Sequence, residues 1–317
     1  MTSQLPPISF VRDLVEPHES RRALARSAIA GSSVRVARGA YVEASVHASL
    51  SARERYLLRV RAVAATRRSR PVVSHWSAAA IHNLPILGGW PDSVHTTITP
   101  TSGGRSRGDV VKHIAALGDT DVVDIDGVLV TSVARTVVDL AAALPFREAV
   151  VVVDRALLVD RFGRRAPMTD RVSLERCWAS RGVFRGFARA KSAIEFGEDR
   201  AESPLESVSR VSMRVIGCPR PLLQVPHSDA EGLIGEPDFY WPDFNAVGEA
   251  DGKAKYLDAS LRNGRTAEQV LMDEKYREDR LRALPRAFAR WGWEVGVDPA
   301  RLRSRLQRLG LPTGPPW

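Results

Sequence analysis

The alternating segment Glu249-Ala250-Asp251-Gly252-Lys253 constrains the fold of this chain more than any other feature. Side chains two apart on a strand share a face. Glu249, Asp251 and Lys253 are therefore expected to project together, while the small residues Ala250 and Gly252 face a close neighbour. Asp238 follows Pro237, precedes the apolar run Phe239-Tyr240-Trp241, and can sit beside them across a hairpin. Three carboxylates on one sheet edge repel unless a cation joins them. Hard divalent ions prefer such oxygen ligands, so Asp238, Glu249 and Asp251 are expected to hold Mg²⁺ or Mn²⁺. Metal-bound water beside a lysine suits phosphodiester hydrolysis, and Lys253 is expected to orient or activate that water. Only five of the 46 basic residues are lysine (Lys112, Lys191, Lys253, Lys255 and Lys275), and two of them fall here. Arginine, the default cation of the chain, is a poor substitute for a compact ammonium. A solvated strand end with alternating charge is the competing reading.

These residues resemble the PD-(D/E)xK nuclease superfamily, in its branch related to very-short-patch-repair endonucleases, over roughly residues 200 to 295. The segment Glu202-Ser203-Pro204-Leu205-Glu206-Ser207 resembles the first helix of that core. Glu202 and Glu206 share a helical face, and Leu205, Val208, Ser212 and Val215 define the buried side. The resemblance implies that a glutamate of this helix, Glu206, joins the metal cluster. The motif reads in two frames: Asp251-Gly252-Lys253 is the literal form, and Glu249-Ala250-Asp251 is the lysine-free variant of the repair-like branch. Many relatives of that branch carry a histidine after the Asp-Gly pair, where this chain continues Lys253-Ala254-Lys255-Tyr256.

Charge is uneven along the chain. Residues 1 to 70 hold 13 arginines against 5 acids, whereas residues 201 to 280 hold 10 basic and 15 acidic residues. A basic module and a locally acidic site divide the labour, since arginine supplies phosphate contacts. The N-terminal module reads as a small winged helix-turn-helix. Ile8 to Leu14 is expected to form a first short helix and Ser20 to Ile29 a second, with Ala23, Leu24 and Ala28 inward and Arg21, Arg22 and Arg26 outward. Val34-Arg35-Val36, the turn Ala37-Arg38-Gly39 and Ala40-Tyr41-Val42 read as a two-stranded wing with a basic tip. Helix and wing are a DNA-docking arrangement, which makes Arg21, Arg22, Arg26, Arg35 and Arg38 the candidate contacts to double-stranded DNA.

The segment Arg35 to Val42 resembles the wing of AbiEi-type antitoxins of type IV toxin-antitoxin systems. Val72 to Ala80 and Asp126 to Leu140 resemble later signatures of the same family, so the likeness covers about residues 8 to 160. It implies a DNA-binding repressor of its own operon with a nucleotidyltransferase-like toxin as partner. In the middle region Ser74 and Thr131 are expected to cap helices, and Arg135 and Asp139 to pair on a helix surface. His75, His82 and His95 lack a third ligand with metal spacing, and Cys177 and Cys218 lie too far apart to give one.

The expected fold class is α/β, α+β overall. A winged helix-turn-helix (1–70), a mixed middle domain (71–165), a helical linker (166–200) and a restriction-endonuclease-like α/β core (201–317) follow one another. Within the last, Thr266 to Arg282 reads as a helix opened by a capping box, Trp291 and Trp293 as core residues of a late strand, and Gly314 to Trp317 as frayed. No apolar run is long enough for a membrane span and the N-terminus lacks a signal-peptide pattern, so a cytoplasmic location away from membranes is expected. The functional expectation is a DNA-binding, antitoxin-like regulator with a nuclease-like domain. A metal-dependent endonuclease targeted by the winged helix is the alternative.

Overall fold

A computed structural model describes residues 5–13, 17–67, 70–100, 106, 108–161, 163–251, 267–283 and 286–317. The architecture is mixed α/β. The chain divides into two compact units, one formed by Met1–Ala156 with Met168–Glu195, the other by Leu157–Pro167 with Phe196–Trp317. No helix among the described residues is long and apolar enough to cross a membrane.

The first unit opens with strand β1 (Ser9–Phe10), helix α1 (Pro17–Ile29), strands β2 (Ser33–Ala37) and β3 (Ala40–Glu43), and helices α2 (Ala44–Ser49) and α3 (Ala52–Thr66). Strands β2 and β3 form the expected hairpin, turning at Arg38-Gly39, where Gly39 takes a φ of 73° that favours glycine. The helix expected over Ile8 to Leu14 is absent over its described residues. Ser9 and Phe10 instead pair with Tyr41 and Ala40, adding a third strand, and Val11–Asp13 is one 3-10 turn. Non-local pairing overrides the local helix pattern. Ala23, expected inward on α1, is exposed. Helix α3 is fixed at its start by a reciprocal cap between Ser51 and Glu54.

The same unit continues with β4 (Val72–Val73), α4 (His75–His82), β5 (Val94–Ile98), β6 (Val110–Ile114), β7 (Val122–Ile125), β8 (Val128–Thr131), α5 (Val133–Ala143) and α7 (Arg171–Ser180), with α6 (Phe146–Leu157) between the last two. Its strands form a five-stranded sheet in the order β6-β5-β4-β8-β7. One buried cluster runs from Val36 on the hairpin through Leu58 on α3 to Val73 and Val130 in the sheet. Helix α5 is capped by Ser132, whose hydroxyl accepts from Arg135 N at 3.4 Å, rather than by Thr131, which is buried against Thr136. Ser74 turns its hydroxyl to the His75 ring instead of capping α4.

The second unit contains α9 (Pro204–Val215), β9 (Leu222–Leu223), β10 (His227–Asp229), β11 (Gly232–Gly235), β12 (Phe239–Trp241), β13 (Ala246–Ala250), α10 (Ala267–Ala283), β14 (Ala287–Trp291), α11 (Trp293–Gly296) and α12 (Pro299–Gln307), preceded by α8 (Phe187–Phe196) at its boundary. Its main sheet is mixed, in the order β14-β13-β12-β9, with β13 and β14 parallel and the other pairs antiparallel. Strand β13 is buried along its whole length. Trp291 is core, but Trp293 stands on a helix and is 45% exposed. Trp317, expected to fray, donates its indole N–H to Cys218 O at 2.6 Å and stacks on Phe196. Thr266 lies outside the described residues, as does the start of its expected capping box.

Candidate functional site

Local structure positions the carboxylates of the second unit. Ser203 caps α9 by accepting from Glu206 N at 3.2 Å, with Pro204 at the first helical position. This places Glu206 on a helix face that is wholly buried. Asp238 immediately precedes β12, and the β12–β13 hairpin brings it alongside the end of β13, where its Oδ2 accepts from Ala250 N at 2.7 Å. Gln224, whose φ of 50° is left-handed, joins the two. Its Nε2 lies 3.3 Å from Glu206 Oε2 and 3.1 Å from Asp238 Oδ1, so one amide group holds both carboxylates side by side.

Glu249 and Asp251 emerge where β13 ends. Strand β14 is in register with β13, placing Arg290 opposite Glu249. Arg290 donates to Glu249 Oε2 at 2.5 Å and lies 3.7 Å from Asp251 Oδ2, so these two acids share a side of the strand. Arg277 of α10 donates to Glu249 Oε1 at 2.7 Å. Both oxygens of Glu249 are thus held by guanidinium groups, and Glu249 is only 4% exposed. Asp238, Glu206, Glu249 and Asp251 are gathered at one end of the sheet, in an amide-linked pair and an arginine-linked pair. Lys253 lies outside the described residues.

The donors match Mg²⁺ or Mn²⁺ in chemical type, since all are carboxylate oxygens. Their arrangement does not fit one ion. Among the described residues no group of three or more His, Cys, Asp or Glu side chains is placed to hold a metal, and arginines already compensate Glu249. A cavity of about 420 Å³ adjoins Gln224 and is lined in part by Arg161, Arg200, Glu202 and Glu236. Arg161 bridges Glu202 at 3.2 Å and Glu236 at 2.6 Å.

In the first unit Arg22 and Arg26 are exposed on α1, and Arg35 and Arg38 are exposed on the β2–β3 hairpin. The side chain of Arg21 lies outside the described residues. Elsewhere in this unit Arg59, Arg61, Arg70 and Arg135 each have an aspartate partner. Arg22, Arg26, Arg35 and Arg38 pair with no carboxylate among the described residues.

Two groupings escape local sequence patterns. Arg135 and Asp139, expected on a helix surface, are 0% and 3% exposed. Arg135 Nε donates to Asp139 at 3.1 Å and its NH1 to Asp121 at 2.8 Å, while Arg181 approaches Asp139 to 2.7 Å. Burial pushes the Asp139 carboxyl up, against the pull of Arg135 and Arg181. The second grouping is a stack of imidazoles. The rings of His75 and His113 lie 3.5 Å apart, and His95 Nδ1 is 2.9 Å from His113 Nε2. Burial, followed by the neighbouring His113, pushes His75 down to about 2 and His95 down to about 4. His82 is apart from them, with its Nε2 2.7 Å from Thr131 O.

No family model matches the chain. Two proteins of Mycobacterium tuberculosis are similar to it, Uncharacterized protein MT2308 of strain CDC 1551 / Oshkosh and Uncharacterized protein Rv2248 of strain ATCC 25618 / H37Rv. Each is 33% identical over 192 residues, or 58% of this chain, and the match spans 62% of the relative's own length.

Proposed function

We propose that this chain is a DNA-binding, antitoxin-like transcriptional regulator whose second unit carries a nuclease-type core. The observation that carries this reading is the set of uncompensated arginines on α1 and the β2–β3 hairpin. Arg22, Arg26, Arg35 and Arg38 stand in solvent without carboxylate partners among the described residues, whereas Arg59, Arg61, Arg70 and Arg135 of the same unit are each paired with an aspartate. Unpaired guanidinium groups on a helix and an adjoining hairpin suit phosphate contact and groove entry. Arg21 belongs to the same proposed surface. In this reading the unit has a winged helix-turn-helix, double-stranded DNA is its partner, and the nucleotidyltransferase-like toxin implied by the family resemblance is a protein partner.

A metal-dependent endonuclease is the second reading. It is favoured by the gathering of Glu206, Asp238, Glu249 and Asp251 at one end of a mixed sheet, with Lys253 following in the chain. The arginines on Glu249 weigh for regulation, because they supply the positive charge an ion would otherwise bring.

One experiment separates the two. The full chain is incubated with supercoiled plasmid and Mn²⁺ and resolved on a gel that reads retardation and nicking together. Retardation without nicked circles is the expected result. Failure to retard the plasmid at low salt overturns the DNA-binding reading. Nicking that disappears in Asp238→Asn establishes the endonuclease instead.

A further inference from the structure

A cleft of about 790 Å³ opens in the first unit between the turn Val11–Asp13, the β2–β3 hairpin and the C-terminal end of α3. Phe10 and Tyr41 contribute to its apolar lining, and Arg12, Arg35, Arg38 and Arg67 to its charge. All four arginines are exposed. Arg12 is tethered by Asp13 at 3.3 Å and lies over the Phe10 ring. Arg35, Arg38 and Arg67 have no carboxylate partner among the described residues. Asp109 is the single acid among the described lining residues.

Like charges crowded around a concavity repel, and the repulsion is relieved by a polyanion rather than by scattered counterions. A sugar–phosphate strand matches both parts of the cleft. Its phosphates suit the planar guanidinium fork, and its deoxyribose faces suit an apolar floor. We propose that this cleft seats a phosphodiester strand of DNA, with Arg12 and Arg67 as backbone contacts beyond Arg35 and Arg38. The proposal rests on the DNA-binding reading and adds where the backbone lies. Arg12 and Arg67 are far apart in sequence, and only the folded unit brings them to one cleft.

The test is fluorescence anisotropy of the full chain with a labelled duplex of mixed sequence, across a sodium chloride series. Arg12→Gln with Arg67→Gln should make the log–log salt dependence shallower by about 0.9 for each phosphate left without its arginine. Arg12→Lys with Arg67→Lys should restore most of the slope. Asp109→Asn, which breaks no ion pair among the described residues, should tighten binding. An unchanged slope in the glutamine double variant, with a shallower one in Arg22→Gln/Arg26→Gln, overturns the cleft while leaving the DNA-binding reading intact. Absence of binding by the wild type overturns both. Should the double variant fail to fold, Asp109→Asn decides, and an affinity equal to wild type overturns the proposal.

Discussion

At the scale of single residues, environment separates ion pairs of the same chemical type. Arg61 and Asp126 meet at 3.0 Å with side chains 41% and 69% exposed. Water screens such a pair, and it contributes less than about 1 kcal/mol. Arg135 and Asp139 meet at 3.1 Å with side chains 1% and 2% exposed. Removing one member there leaves charge stranded in the interior, which costs about 3–5 kcal/mol. Asp139→Ala should therefore lower the unfolding free energy of the chain by about 3–5 kcal/mol in urea titrations, whereas Arg61→Ala should lower it by less than about 1 kcal/mol. Equal and small losses for both would show that Arg135 is compensated by Asp121 alone. This network gives Arg135 and Asp139 a structural role.

At the scale of elements, β13 shows why small residues punctuate an acidic strand. A Cβ placed on Gly248 would stand 2.6 Å from the Trp291 ring and 3.2 Å from that of Trp241. The two indoles close over the strand where a side chain would otherwise lie, and Phe239 stacks with both. Gly248→Ala should cost about 1–3 kcal/mol through overpacking, read as a lower midpoint in guanidinium unfolding. A midpoint equal to wild type would mean that the rings part without cost. Period-two spacing makes this strand and the β2–β3 hairpin legible in the sequence, because alternation is a local signal. It also puts Glu249 and Asp251 on one side. What stays hidden is non-local. Nothing near Ser9 announces that β3 offers it a free edge. Nothing in the spacing of Arg277, Arg290 and Gln224 announces that they converge on Glu249, Asp238 and Glu206. His113 is likewise invisible as a neighbour of His75, since only the parallel pairing of β5 and β6 sets it beside His95.

At the scale of the whole molecule, the two units differ in how they should respond to acid. Six of the seven histidines belong to the first unit. Burial lowers the pKa of His75, His82, His95 and His113 there, with like-charge neighbours adding to the effect for His75 and His95. The second unit has His227, also lowered by burial. A histidine whose folded pKa is depressed is neutral in the native state and takes a proton first in the unfolded chain. Its stabilisation is complete above the unfolded pKa of about 6.5 and is lost as the pH falls towards the folded value, about 4 for His95 and about 2 for His75. Well below the unfolded pKa each such group costs about 1.4 kcal/mol per pH unit, so His75 and His95 together remove about 3 kcal/mol between roughly pH 6.5 and pH 5. Calorimetry of the full chain should then show the transition of the first unit moving to lower temperature from about pH 7 to about pH 5, and that of the second unit moving less. His95→Gln, which keeps a polar side chain but cannot gain a proton in this range, should shrink the shift of the first transition. If both transitions moved together and His95→Gln left them unchanged, the imidazole stack would not be the acid-sensitive element. The DNA binding proposed for the first unit should then weaken in acid by loss of its fold, while the second unit is affected less.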